Sequence, residues 1–451
     1  MPEANANPEK RFFIDLITRD ISLEDAILDL IDNAVDSLIR SRSIDPYKNL
    51  IKPDEAPAES LSEIKISFTP KQFTIVDNCG GISFESAEKD VFRFGHPDPH
   101  RGASLSVFGI GMKRAIFKIG RQIEIESHAT DSGFSINLNV DEWLGEETTD
   151  WKIKLEKQSS EKDISKAGTM IVIKRLRSEV ATLMENPTFK NKLMLIIQES
   201  YPFYLGKYIR IFVNDKEAKG GELSFAESQD VKPAIETWKD GNVEATMICG
   251  LLPRKEDDGW TWEKSGWYLV CNGRVILHAD KSKLTAWGGL LPQFMPKHRG
   301  FLGIIFFKSA HPEELPWKTT KRDINTESAV FIRALKRMIP ASRSVIQFQN
   351  KMYESNDGAE PREEYRDSVK NLHGSSATEK ATQVGTGDEK IKPQGFVYPP
   401  PSSRPKTTSI QFQVRVEDMV RVKKHFGRSG MSNTEVGKRV FKYFLDRECS
   451  Q

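Results

Sequence analysis

The sequence predicts an α+β protein with more than one folded region, on three observations. The chain has 451 residues, room for roughly three domains at about 150 residues each. From about residue 12 to 345, amphipathic helical patterns and alternating strand patterns follow one another without a long break. The composition then shifts: residues 355–409 are rich in Ser, Thr, Gly, Pro and charge, before apolar periodicity returns over 410–448. Low-apolar stretches of this kind bury too little surface to offset chain entropy, so a flexible linker is expected there. The expected divisions are 1–180, 181–345, a linker over 346–408 and a small module over 409–451.

The opening helix is SLEDAILDLIDNAVDSLIR (22–40). Ser22 with Asp25 three residues on makes a capping-box-like start. Leu23, Ile27, Leu30, Ala34 and Leu38 recur at helical spacing and define a core face. Asp25, Asp29, Asp32, Asn33 and Asp36 gather on another side, and Asp29, Asn33 and Asp36 stand at i, i+4, i+7, so their side chains line up. A solvated acidic face is the ordinary reading of such a row. Against it, the like charges repel, and no lysine stands four residues after Asp29 or Asp32 to relieve them. A row of carboxylates and an amide also suits Mg²⁺, which takes oxygen ligands.

EIKISFTPKQFTIVDNCGGIS (63–83) reads as two strands, the second ending at Asp77 before the Gly80–Gly81 turn. Such a turn lets backbone approach a flat ligand, although DxxGG alone is also an ordinary turn. FRFGHPDPHRGASLSVFGIGMKRAIFKIG (92–120) begins as a loop and enters a helix at about Gly111. Gly109 and Gly111 would expose N–H groups at the helix start, where the dipole attracts phosphate, and Lys113 adds a point charge. A glycine-rich packing turn is the plainer alternative. GTMIVIKRL (168–176) is a Gly–Thr pair entering a buried strand, which taken alone is only a strand start.

The order of these four segments over residues 22–176 resembles the GHKL ATPase superfamily, which includes gyrase B, MutL, histidine kinases and MORC proteins. A Walker-type site is excluded, since GxxxxGK[ST] does not occur. The resemblance implies a two-layer α/β sandwich (the Bergerat ATP fold) with ATP and Mg²⁺ between the helices and a mobile lid. Position by position, it implies that Asn33 ligates Mg²⁺ with Asp36 a supporting acid behind it, and that Asp77 accepts from the adenine amino group. Gly81 would admit the base, Thr169 would support the adenine pocket, and Gly109, Gly111 and Lys113 would hold phosphates, with Met112 between them. Two positions depart from the pattern. Asp29 stands where the family has its general-base glutamate, and Ser106 stands at a lid glycine.

Residues 181–345 contain GWYLVCNGRVILHAD (266–280), a hairpin with an Asn272–Gly273 turn, and the lysine-rich LPWKTTKRDIN (315–325). Alone they are a hairpin and a surface loop. Together they resemble the transducer domain of the gyrase, MutL and MORC branches, whose loop lysine reaches the γ-phosphate. Lys321 is the candidate, with Lys318 second. Histidine kinases lack this domain, and the roughly 20 residues ahead of the opening helix leave no room for a phosphoacceptor helix.

Residues 409–448 read as an alternating strand (Ile410, Phe412, Val414, Val416), a helix to about His425 and a second helix capped by Ser432 and Glu435. This resembles a ribbon-helix-helix module, which implies dimerisation and strand contact with DNA. Nine Lys and Arg against five Asp and Glu give +4 in this segment, which favours a phosphate-rich partner. Dimerisation or protein docking alone is the equal alternative. The whole chain, at +2, gives no argument for nucleic acid.

Four scattered cysteines without a CxxC pair speak against a zinc site or disulfide framework and fit a reducing cytoplasm. The N-terminus lacks a signal peptide's apolar core, and no apolar run approaches the roughly 18 residues of a membrane span. The expected function is a slow, Mg²⁺-dependent ATPase that dimerises on ATP and acts on DNA or a DNA-associated complex, in genome maintenance or mobile-element defence, with partner proteins. The alternative is an ATP-binding scaffold or DNA-bound regulator that hardly hydrolyses. A chaperone-like client binder is a weaker third, because no matching middle and C-terminal domains follow.

Overall fold

The computed structural model describes residues 9–42, 61–95, 104–106, 109–145, 151–221, 223–254, 260, 262–353, 362, 365, 372–377, 380–381, 393–399, 410–427 and 430–448. The chain forms two compact units, Met1–Pro401 and Ser402–Gln451. The larger is a mixed α+β body built on two sheets.

The first sheet has eight strands: β1 (Ser62–Thr69), β2 (Gln72–Asp77), β3 (Gly120–His128), β4 (Gly133–Asn139), β5 (Glu156–Gln158), β6 (Gly168–Leu176), β7 (Ile209–Val213) and β8 (Lys216–Ala218). Their order is β5-β4-β3-β6-β2-β1-β7-β8. Neighbours run antiparallel except β1 and β7. Period-2 burial explains its two faces. Ile64, Ile66, Phe73, Ile75, Ile123, Ile125, Ile171 and Ile173 are buried, while Val76 and Met170 are exposed neighbours in β2 and β6. The helices Leu23–Ser41 and Gly111–Ile119 pack on each other over the buried face. Two packed layers are the arrangement expected above. The sheet nevertheless crosses the expected break at 180/181, because β7 pairs along β1.

The Leu23–Ser41 helix starts as its sequence predicts, with Asp25 N donating to Ser22 Oγ at 3.1 Å. Its apolar stripe is buried, and so are its acids: Asp29 is 2%, Asp32 0% and Asp36 3% exposed. The solvated-face reading therefore fails. A helix buried this completely by a single sheet would be unusual, and the additional cover comes from the second part of the unit.

That part contains β9 (Ser224–Glu227) and a five-stranded sheet made of β10 (Ala234–Asp240), β11 (Val243–Leu251), β12 (Gly266–Cys271), β13 (Arg274–Asp280) and β14 (Phe301–Lys308), in the order β10-β11-β14-β12-β13. Every residue of β12 is buried. Asn272 (φ +46°) and Gly273 (φ +82°) both take positive φ, as a two-residue primed hairpin turn requires. The long helix Ala329–Met352 packs against β11.

Part of the expected linker is ordered. β15 (His373–Ser376) pairs antiparallel with β9, and Gln394 and Val397 form backbone bridges to Ile235 and Lys232. The rings of Phe396 and Tyr398 pack on Phe348. These few aromatics dock against an existing core, which average composition does not register.

In the smaller unit, helices span Val416–His425 and Asn433–Glu448, and Glu435 N donates to Ser432 Oγ at 3.2 Å. The expected strand is not formed at 410–415. A strand needs a partner's hydrogen bonds, and a single copy offers none to this segment. Among the described residues no helix is long and apolar enough to cross a membrane.

Candidate active site

A cavity of about 440 Å³ opens between the acidic helix, the Gly81–Ser83 turn, the start of the Gly111–Ile119 helix and the Thr319–Lys321 loop. It gathers Asp29, Asn33, Asp36, Gly81, Ser106, Gly109, Gly111, Met112, Lys113 and Lys321, all singled out from sequence. Asp77 and Thr169 are not among its lining residues. They pair directly across β2 and β6, with Asp77 accepting from Cys79 N at 2.9 Å and Thr169 Oγ1 lying 2.9 Å from Ser127 Oγ.

Helical spacing brings the acidic row to the cavity, but each member is held differently. Asp36 accepts from Leu105 N (2.6 Å), Ser106 N (2.8 Å) and Ser104 Oγ (2.8 Å). It anchors the segment that precedes the Gly109 turn. Burial raises its carboxyl above the usual range, against the lowering effect of these bonds. Asn33 Oδ1 accepts from Ser106 Oγ at 3.2 Å, while its buried Nδ2 has no partner. Asp29 Oδ2 accepts from Arg114 Nε at 2.7 Å, and its Oδ1 lies 3.5 Å from Lys321 Nζ.

Asp32, one helical turn away, accepts from Lys321 Nζ (2.8 Å) and Tyr201 Oη (2.7 Å) and pairs with the Arg274 guanidinium. Burial pushes the Tyr201 hydroxyl well up, which keeps it a donor. Asp29 and Asp32 thus face Arg114, Arg274 and Lys321, two negative charges against three positive. Lys321, whose backbone takes φ +53°, is held on the cavity wall with its ammonium on these acids. Lys318 instead pairs with the half-buried Asp323. Arg322 completes the loop's attachment with a 2.8 Å pair to Asp25.

The glycines are explained by close approach. A Cβ on Gly81 (φ +67°) would sit 2.2 Å from the His128 carbonyl oxygen, and one on Gly168 would sit 1.9 Å from the Asp77 carbonyl oxygen. Gly111 lets its helix start directly on Asp29, whose Cγ is 3.2 Å from the position of an added Cβ. Lys113 is buried and donates to the carbonyls of Val91 (2.6 Å) and Arg93 (2.9 Å), and burial lowers its pKa to about 8. Burial also raises Asp77 to about 6.

Residues 21–169 match a family model. Its description is histidine kinase-, DNA gyrase B-, and HSP90-like ATPase. The matched stretch is 149 of the 451 residues and contains every site residue named from sequence except Lys321 and its alternative Lys318. No curated protein matches the chain. The match ends at Thr169, near the start of β6, and the second sheet lies outside it.

Arg114, Arg274 and Tyr201 were not singled out from sequence, and Asp32 was named only as a member of the acidic row. Arg114 stands 85 residues from Asp29 in the chain, and Arg274 stands 242 from Asp32. The absent i+4 lysines were the one local signal that distant cations would be required.

The residues present fit a magnesium-bound triphosphate. Asn33 Oδ1 accepts a single bond, from Ser106 Oγ, and has a second lone pair for a cation, its unpartnered Nδ2 is a donor suited to a phosphate oxygen, and the charge cluster leaves one positive charge in excess.

Proposed function

We propose that this chain is a Mg²⁺-dependent ATPase whose nucleotide state controls the join between its two sheets. The observation that carries the reading is the cavity itself. It places the acid–amide row of the first helix, the Gly109–Lys113 helix start and Lys321 of a distant loop around one space. In this reading the domains are those expected from sequence, with the first sheet extended to Ala218.

The triphosphate lies against the helix start, where Gly109 and Gly111 leave backbone N–H groups free of side-chain cover. Asn33 Oδ1 is the protein ligand for Mg²⁺, which supplies charge neutralisation for the phosphate oxygens. Asp36 holds the Ser104–Ser106 segment in place. Asp77 accepts from the adenine amino group, with Gly81 and Thr169 shaping that end. Lys321 leaves Asp32 and Asp29 for the γ-phosphate, which frees Asp29 Oδ1. Asp29 then takes a proton from the attacking water as the water oxygen bonds to the γ-phosphorus and the bond from that phosphorus to the β–γ bridging oxygen breaks; ADP and phosphate leave, and Asp29 gives its proton to solvent. Aspartate is one methylene shorter than glutamate, and a misplacement of about 1 Å can cost on the order of 10²-fold in rate, so turnover is slow.

The Lys321 movement makes the chain a switch that closes and dimerises through its N-terminal region, in the manner of the gyrase, MutL and MORC branch. The +4 C-terminal segment directs the switch to DNA or a DNA-bound complex. A second reading, an ATP-holding scaffold with little hydrolysis, is favoured by the two cations that already occupy Asp29.

Steady-state phosphate release by wild type and Asp29→Asn separates the two. A loss of about 10²-fold or more in Asp29→Asn, with nucleotide still bound, supports the general-base role. Equal rates favour the scaffold. Sedimentation with a nonhydrolysable ATP analogue tests the clamp, and a monomer at saturating nucleotide would remove it. Removing residues 402–451 is expected to weaken DNA binding and flatten its salt dependence. Unchanged binding would leave that unit a dimerisation or docking role.

A further inference from the structure

Arg114 occupies a place in the cavity that none of the roles above uses. Its Nε donates to Asp29 Oδ2 at 2.7 Å, and its Nη2 donates to the Thr319 carbonyl at 3.0 Å. One guanidinium therefore joins the acidic helix to the backbone of the loop that carries Lys321, two residues on. Arg114 is 6% exposed, lines the cavity with Asp29, Thr319 and Lys321, and is fixed by the Gly111 helix start that rests on Asp29.

We propose that Arg114 distinguishes a nucleoside triphosphate from a diphosphate in this cavity and passes the difference to the Lys321 loop. The inference rests on the reading that the cavity takes Mg-ATP. The two bonds use two of the five N–H groups of an arginine. A terminal phosphate, a stronger and bidentate acceptor, competes with the single Thr319 carbonyl for the planar fork. When the fork turns to the phosphate, the loop loses its tie at Thr319 as Lys321 loses its tie to the acids. A diphosphate brings no group to that wall and leaves both ties intact. Arg114 is thus a positioning and specificity residue for the loop, whereas Asp29 and Lys321 perform the chemistry.

Lysine at this position keeps the charge but lacks the fork, so it holds Asp29 or Thr319 and not both. The test uses the full chain as wild type, Arg114→Lys and Arg114→Gln. Dissociation constants are measured for ADP and for a nonhydrolysable ATP analogue, both with Mg²⁺, and backbone hydrogen exchange is followed over residues 317–325. In wild type, exchange of this loop is expected to rise with the analogue and not with ADP. In Arg114→Lys, the preference for analogue over ADP is expected to fall by about tenfold, with ADP affinity changed less than about twofold, and the exchange difference is expected to vanish. Should Arg114→Gln fail to fold, Arg114→Lys and the wild-type exchange still decide. Equal weakening of both nucleotides, an unchanged preference, or loop exchange that ignores the third phosphate would overturn the proposal while leaving the ATP reading standing. A wild type that binds neither nucleotide would overturn both.

Discussion

Replacing Asp32 by alanine removes the shared acceptor of three donors, Lys321, Tyr201 and Arg274. Asp32 and its Arg274 partner are both 0% exposed, so no water replaces the lost carboxylate. Lys321 keeps a 3.5 Å approach to Asp29, and the Tyr201 hydroxyl can turn to the Leu28 carbonyl at 3.2 Å. Arg274 has no such recourse, since its Nε and Nη2 are already buried without partners. Breaking one side of a buried pair costs about 3–5 kcal/mol, and this is the expected loss for Asp32→Ala. Tyr201→Phe removes one bond to a charged acceptor and is expected to cost about 1.5–3 kcal/mol. The double variant Asp32→Ala/Arg274→Met leaves no stranded guanidinium and is expected to recover a substantial part of the Asp32→Ala loss. Urea unfolding of the full chain, followed by tryptophan fluorescence, measures these three midpoints and that of the single variant Arg274→Met. A cost below about 1 kcal/mol for Asp32→Ala, or a double variant no better than the sum of its singles, would refute the view that this cluster holds the two sheets together.

Two further outcomes follow from the site's geometry. Gly81→Ala forces a Cβ to 2.2 Å from the His128 carbonyl at φ +67°, so it is expected to destabilise by more than about 1 kcal/mol in the same assay; an unchanged midpoint would contradict the packing described. Burial raises Asp77 to about 6 in the folded chain, above its ordinary value of 3.8, so the folded state holds the proton more tightly and ionisation works against folding. This contribution is full below about pH 4 and is lost as pH rises through about 6; urea midpoints from pH 4 to 7 should fall less steeply in Asp77→Asn than in wild type, and parallel profiles would sink the assignment.

How far the sequence carried the account depended on the range of each signal. The spacing of Asp29, Asn33 and Asp36 is local, and the structure puts all three on the cavity wall. The alternation of Ile64, Ile66 and Phe68 and the Asn272–Gly273 turn were equally local and are formed as expected. Pairings across long stretches of chain left no such trace. The sequence showed that Asp29 and Asp32 lacked local counter-ions, but not that Arg114, Arg274 and Lys321 would supply them. Nor could the 180/181 boundary be read, because β7 pairs parallel to β1 from the far side of two helices. Phe396 and Tyr398 escaped notice because a few aromatics suffice to dock a polar segment on an existing core. At 410–415 the alternation is real, yet strand formation requires a neighbour that a lone copy does not offer.

The cavity beside Asn33 is expected to receive a magnesium-bound triphosphate. Calorimetric titration of wild type and Asn33→Ala with a nonhydrolysable ATP analogue, with and without Mg²⁺, decides whether it does. Mg²⁺ is expected to strengthen binding to wild type by about tenfold or more and to have little effect on Asn33→Ala, because the ion would lose its protein ligand. No binding to wild type, or the same gain from Mg²⁺ in both proteins, would contradict the account.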